Sequence, residues 1–152
     1  MDTNKKIVVC DIDGTIAKMS TQRKQFIDEK RNDWDYFYSL CFNDDPIFDI
    51  INIIRQLDHC ASNIVFCTGR REEVRGLTEQ WIKKYFPYMS KIELIMRPNG
   101  DHRCDSSVKP AILAKAGYTT ENVICIFEDR SRVVKRWREL GFTCVQVAEG
   151  DF

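Results

Sequence analysis

The sequence predicts a layered α/β fold built on a parallel sheet, and three observations carry that prediction. Short runs rich in β-branched residues recur at residues 7–12, 63–68, 92–96, 123–127 and 143–147, each nearly continuously apolar, as strands buried on both faces read. Between them lie apolar stripes at helical spacing, and β alternating with α implies right-handed crossovers. The chain has 152 residues, of which 43% are hydrophobic, with 9 Phe, 5 Tyr and 3 Trp, enough to fill one core rather than several.

The elements follow in order. The first run, 7–12, ends in Asp11-Ile12-Asp13-Gly14-Thr15. Residues 16–45 then break the rhythm, being too long for an ordinary βα loop and carrying the aromatic stretch Trp34, Tyr36, Phe37 and Tyr38. This segment is expected to be a small cap-like insert of helical character, serving either as a lid beside the functional edge or as extra packing. Ile47, Ile50, Ile51, Ile54 and Leu57 form a helical stripe before the second strand, and Val74, Leu77, Trp81, Ile82 and Tyr85 form another after it. After the strand at 92–96, Val108, Ile112 and Leu113 mark a shorter helix, with Pro110 expected in its first turn. Val133, Trp137 and Leu140 complete the set, and Gly117 and Gly141 stand where helix C-terminal caps belong. No repeat or linker composition interrupts the chain, so one domain over 1–152 is expected, with 16–45 as its insert.

Lys plus Arg and Asp plus Glu each number 23, so net charge gives no reason to expect nucleic acid or membrane as a partner, and any such argument must be local. The amino-terminal apolar run is four residues long, unlike a signal peptide, and no stretch approaches a membrane span, so no membrane association is expected. The 7 cysteines are scattered without a C-x-x-C pair, and Cys10, Cys67, Cys125 and Cys144 lie in apolar runs. They read as small core residues in a reducing, cytoplasmic setting.

The chemistry-bearing residues gather at strand ends. Asp11 and Asp13, two apart, point together from the first strand's carboxyl edge, where ligand sites of open α/β sheets lie, and Gly14 allows the chain to turn away. An EF-hand is excluded because Gly14 follows Asp13 directly and the twelfth loop position is Gln22. The second strand ends Phe66-Cys67-Thr68-Gly69-Arg70 and the fourth ends Phe127-Glu128-Asp129-Arg130, while Asp105-Ser106-Ser107-Val108-Lys109 opens a helix between them. Carboxylates, a hydroxyl and a lysine thus meet at one sheet edge, a set suited to holding a hard cation or to dividing nucleophile and acid/base roles.

This ordered set, D-x-D-G-T, a strand-ending Thr, a helix-opening Lys and an acidic pair, resembles the haloacid dehalogenase (HAD) phosphohydrolases. More narrowly, D-I-D-G-T-I-A-K-M, R-P-N-G-D-H-R-C-D-S-S-V-K and E-D-R-S-R-V-V-K-R-W-R-E-L-G with the ending Q-V-A-E-G-D-F are similar to the 3′-phosphatase domains of phage polynucleotide kinase. The resemblance implies a three-layer Rossmann-like parallel sheet and an aspartyl-phosphate mechanism. In that mechanism Asp11 is the nucleophile and Asp13 the acid/base, with Thr68 and Lys109 stabilising the phosphoryl group. It also implies Mg²⁺ held by Asp11, the backbone carbonyl of Asp13 and Asp129, with Glu128 second to Asp129. Arg70 is expected on the phosphate or a flanking backbone, with Arg130 also on the substrate side. Asp105, four residues before Lys109, is expected to orient that ammonium or to cap the helix. Arg23 matches the family's R-x-x-Y arginine after a one-residue shift.

The sequence therefore predicts a Mg²⁺-dependent phosphomonoesterase acting on 3′-phosphate ends of nucleic acid. The 40 residues between Thr68 and Lys109 leave no room for a second cap, so an open site is expected. Basic residues Arg132, Lys135, Arg136 and Arg138, with Arg97, His102 and Arg103, offer clusters that would track a phosphate backbone. No G-x-x-x-x-G-K-[ST] loop is present, so no kinase half is expected in this chain. The alternatives are a nucleotidase or small-metabolite phosphatase of the same fold, and a non-catalytic nucleic-acid-end binder, for which an intact nucleophile has no use.

Overall fold

The computed structural model describes residues 5–60 and 62–152, so the first four residues of the expected 1–152 span, with Ala61, lie outside the described residues. Five parallel strands, β1 (Ile7–Cys10), β4 (Asn63–Arg71), β5 (Glu93–Arg97), β6 (Val123–Glu128) and β7 (Cys144–Gln146), form a sheet in the order β5-β4-β1-β6-β7. A two-stranded antiparallel ribbon, β2 (Ala17–Lys18) with β3 (Asp45–Pro46), closes the base of the insert. The chain builds outward from β1 first through β4 and β5, then crosses to β6 and β7. Beside β1 the strand order reverses, which opens a crevice at the carboxyl ends of the strands.

Side chains alternate across the pleat, so each strand feeds two cores. Val8, Cys10, Ile64, Phe66, Leu94 and Met96 face the layer containing α3 (Phe48–His59) and α4 (Arg75–Tyr85), against Ile51, Ile54, Trp81 and Ile82. Val9, Val65, Cys67 and Ile126 face α5 (Asp105–Lys115) and α6 (Ser131–Glu139), against Val108, Leu113, Val133, Val134 and Trp137. Cys10, Cys67 and Cys144 pack within these cores as the apolar runs predict.

Two local findings differ from expectation. Helix α5 begins at Asp105, so Pro110 falls at its sixth position rather than in its first turn, and no amide returns to the carbonyl of Ser106. Strand β4 continues to Arg71 through a register shift between Thr68 and Arg71, where Arg71 pairs opposite Arg97. That extension carries Arg70 and Arg71 beyond the end of β1, whose pairing with β4 stops at Cys10 opposite Phe66.

The insert contains α1 (Thr21–Asp28) and α2 (Trp34–Ser39) around a small aromatic core of its own, in which Phe26 lies 5.5 Å from Trp34 and 5.2 Å from Phe37. Ser20 caps α1 by accepting the Arg23 amide, and Asp33 caps α2 by accepting the Tyr36 amide. Met19, Phe37, Tyr38 and Ile47 line the same cavity as Asp11, so the insert forms one wall of the crevice as well as packing. Among the described residues, no helix is long and apolar enough to cross a membrane.

Candidate active site

After Cys10 the chain stays beside β6, with the Asp11 amide donating to the Phe127 carbonyl at 3.0 Å. It then folds tightly: the Ile12 carbonyl accepts the amides of Thr15, Ile16 and Ala17 at 3.0–3.1 Å. Gly14 makes this possible on two counts. Its φ is +82°, and a Cβ there would stand 2.0 Å from Oδ2 of Asp129.

Asp11 sits on the cavity floor, 3% exposed. Its Oδ1 accepts from Lys109 Nζ at 2.7 Å and its Oδ2 from the Thr15 hydroxyl at 3.0 Å. Lys109, itself buried, also donates to Glu128 Oε2 at 2.8 Å. The other oxygen of Glu128 takes the amides of Asp129 and Arg130 at 3.2 and 3.3 Å. With both oxygens engaged, Glu128 holds the turn that presents Asp129, an orienting role. Asp11, Glu128 and Asp129 can each bring one oxygen within 4.8 Å of the others.

The electrostatics show what this cluster lacks. Burial, then the Glu128 charge, pushes the Asp11 carboxyl up to about 7 against the pull of Lys109. Burial, then Asp11, pushes Asp129 up to about 6. Burial works against the Lys109 ammonium, but Asp11 and Glu128 together hold its proton well above the ordinary range. One lysine among three buried carboxylates leaves excess negative charge, and the donors are hard oxygens, so the cluster fits a divalent cation. That is the metal requirement which the resemblance to HAD phosphohydrolases leads one to expect.

A stability prediction follows from the sign of these shifts. Without a cation, Asp11 and Asp129 hold protons in the folded state that the unfolded chain, near 3.8, has already released. Folded stability from these two groups therefore falls as pH rises through the window between about 4 and 7. In EDTA the melting temperature is expected to be lower at about pH 8 than at about pH 5.5, with Mg²⁺ narrowing the gap. A metal-free melting temperature that rises over that interval would contradict the charge assignment.

Asp13 faces the cavity from the other side, with its side chain 45% exposed. Arg70 grips it with two hydrogen bonds, Nε to Oδ2 at 2.9 Å and Nη2 to Oδ1 at 2.7 Å. Desolvation by the surrounding cavity walls works to raise this carboxyl, but the Arg70 charge and bonds, then Arg23, hold it down at about 2. Arg70 also donates to Asp44 at 2.9 Å and to the Thr78 hydroxyl at 3.3 Å. Arg23 pairs with Asp44 at 2.5 Å, lies 3.6 Å from Asp13, and stacks over Phe37 at 4.5 Å. Asp44, fully buried at the end of the insert, ties both arginines together and was not singled out by the sequence. One carboxylate among several in Asn43-Asp44-Asp45 carries no pattern that marks it.

The remaining expected residues are placed as follows. Thr68 is fully buried and its hydroxyl accepts the Arg70 amide at 3.1 Å, while Gly69 forms the cavity wall in front of it. Asp105 is the first residue of α5, with Cys104 in the capping position. The hydrogen bonds of Asp105 run from Arg97 at 2.5 Å and Arg130 at 3.1 Å, whereas those of Lys109 run to Asp11 and Glu128. Asp105 thus orients two arginines rather than the lysine, because the side chain of Lys109 turns inward to the buried carboxylates. Arg130 lies on the wall with its guanidinium over Phe152 at 4.8 Å. The carboxyl-terminal stretch braces this side: Gln146 Nε2 donates to the Asp129 carbonyl at 3.0 Å and the Ser131 amide to the Gly150 carbonyl at 2.8 Å.

Arg132, Lys135, Arg136 and Arg138 do not line the cavity. Val133, Val134 and Trp137 turn one face of α6 into the core, so the charged face points to solvent, where Lys135 and Arg136 lie near Glu139 and Arg138 binds the Cys144 carbonyl. The other basic residues singled out by the sequence, Arg97, His102, Arg103 and Arg130, do line the 910 Å³ cavity, where Lys18, Lys24 and Arg71 join them.

A family model described as the polynucleotide kinase PNKP phosphatase domain matches residues 5–152. The chain belongs to that family. It is a phosphatase of the HAD fold, and the four motif clusters occupy the edge at which the family resemblance expects them. A protein of Autographa californica nuclear polyhedrosis virus, described as a "putative bifunctional polynucleotide kinase/RNA ligase", is 34% identical over 140 residues. That match covers 91% of this chain and 19% of the viral protein. A chain in the structure of the Pnkp1/Rnl/Hen1 RNA repair complex superposes with a TM-score of 0.80 at 26% identity, covering 99% of this chain and 45% of that one. This PNKP-type phosphatase chain therefore spans about a fifth of the curated relative and under half of the solved chain. A haloacid dehalogenase-like hydrolase from Streptococcus pneumoniae shares the fold, with a TM-score of 0.63 at 11% identity over 95% of this chain and 85% of its own.

Proposed function

We propose that this domain removes 3′-phosphates from DNA or RNA ends through an aspartyl-phosphate intermediate, with Mg²⁺ as the metal. The observation that carries the reading is Asp11, buried between Lys109 and Thr15 at the floor of a cavity with a basic rim. Asp11 and Asp129 would hold the cation with the Asp13 carbonyl, and Glu128 would orient them. When bound, the cation supplies positive charge that lets a phosphate approach these carboxylates.

The residues then divide the work. A carboxylate of Asp11 attacks phosphorus, the ester P–O bond breaks, and the departing oxygen takes a proton from Asp13. Water next attacks the phosphorus of the aspartyl-phosphate, giving its proton to Asp13 as the P–O bond to Asp11 breaks, so inorganic phosphate leaves and the Asp11 carboxylate is restored. Arg70 keeps Asp13 ionised in the free site, which suits the second step. A phosphate drawing on the same guanidinium loosens that hold, so the carboxyl rises toward the range where it carries a proton. Lys109 balances charge on the Asp11 side, Arg70 and Arg23 reach the phosphoryl oxygens, and Thr68 acts by fixing the Arg70 backbone. Arg130, steered by Asp105, lies on the path of the chain behind the phosphate.

The test compares 3′-phosphorylated oligonucleotides, 5′-phosphorylated ones and free 3′-mononucleotides at one salt concentration, with EDTA abolishing turnover and Mg²⁺ restoring it. The 3′-phosphorylated oligonucleotide is expected to be the best substrate. Neutralising Lys18 and Lys24 should flatten its salt dependence by about 0.7 log units per lost contact on a single strand, while neutralising Lys135 and Arg136 should not. Equal efficiency on oligonucleotide and mononucleotide would make this a nucleotidase.

A further inference from the structure

The cavity walls hold more than phosphate-directed charge. At about 910 Å³ the cavity falls within the range that encloses ligands much larger than a phosphate. On the insert side, the guanidinium of Arg71 lies over the ring of Tyr38 at 4.7 Å, and both residues line the cavity. Tyr38 is anchored: it packs against the main core and meets Phe37 edge-on at 5.3 Å. Glu73 holds one edge of Arg71 through Nη1 at 3.0 Å, and the Arg71 side chain remains 31% exposed. A flat cation thus lies over an anchored ring, is steadied at its edge and keeps part of its surface exposed. Arg70, its neighbour on β4, is turned onto the carboxylate of Asp13. Both arginines line the one cavity, so this plate shares it with the phosphate end.

An exposed guanidinium plane backed by an aromatic ring suits a nucleobase, because every base offers a π-face to stack on it whatever its sequence. We propose that Tyr38 and Arg71 form a nucleobase subsite that stacks the base of the nucleotide bearing the 3′-phosphate. This inference rests on the nucleic-acid-end reading above and names the part of the substrate that this wall recognises. It also gives the insert a direct role in substrate choice.

The experiment uses two oligonucleotides ending in a 3′-phosphate, identical except that one carries an abasic terminal nucleotide. The readout is the ratio of their kcat/KM values, which does not depend on the fraction of enzyme folded. In the parent the ratio should favour the base by roughly tenfold or more. It should fall toward one in Arg71→Lys, which keeps charge but loses the plane, and in Tyr38→Leu, which removes the backing ring. Tyr38→Phe, which keeps the ring, should retain it. A parent ratio near one, or a ratio that survives both Arg71→Lys and Tyr38→Leu, overturns the subsite. A change confined to the salt slope would make Arg71 a backbone-phosphate contact and overturn it too. If the enzyme hydrolyses both oligonucleotides equally, only the subsite falls. If it hydrolyses neither but cleaves small phosphate esters, the nucleic-acid reading falls with it.

Discussion

Asp11→Asn is expected to lower phosphatase turnover on every substrate by roughly three powers of ten or more, since it removes the attacking carboxylate while keeping its size. The structure separates this loss from misfolding. The new amide oxygen still accepts from Lys109, and the amide nitrogen donates to the Thr15 hydroxyl that formerly donated to Asp11. One charge leaves a cluster whose burial holds the carboxyl at about 7, so the metal-free variant should melt no lower than the parent above that pH. Single-turnover assays with acid quench should detect a phosphorylated enzyme in the parent and none in the variant. Turnover within tenfold of the parent would sink the nucleophile assignment.

Lys109→Met is the second large effect, and here stability and activity should fall together. The ammonium lies 2.7 Å from Asp11 and 2.8 Å from Glu128, with all three side chains buried. Removing it strands two carboxylates, and breaking a buried pair in this way costs about 3–5 kcal/mol. The sign with pH follows from the chemistry: without the lysine, Asp11 rises further, so the loss is greatest at high pH and shrinks as Asp11 takes up a proton. Urea unfolding at several pH values measures this. Adding Glu128→Gln to Lys109→Met should recover part of the stability without restoring turnover, a coupling that separates charge balance from catalysis. A Lys109→Met protein as stable as the parent at high pH would mean that Lys109 does not balance these carboxylates.

The strands and helices were legible because buried parallel strands and amphipathic helices write their periods directly into the chain. Asp11, Asp13 and Asp129 were legible because they sit at strand ends, where topology alone gathers them. What escaped were partners that depend on distant packing. Asp44 joins Arg23 and Arg70 only because the insert folds back over β4. Asp105 serves Arg97 and Arg130 because β5 and β6 deliver those arginines to it. The basic run of α6 looked like a nucleic-acid track, but its apolar face had to point inward and carried the charges away from the cavity.

The sequence by itself determined the fold class and the edge where the chemistry lies, because periodicity and the placing of polar residues at strand ends are local properties, and the family resemblance of its motifs implied a phosphatase. Tertiary structure alone decided how the charges pair: that Glu128 braces the turn bearing Asp129, that Arg70 holds Asp13 ionised, and that Lys18, Lys24 and Arg71 join the expected basic residues on the rim. Ion pairs between elements depend on burial and on angstrom-scale distances, and neither is encoded in the spacing of residues along one chain.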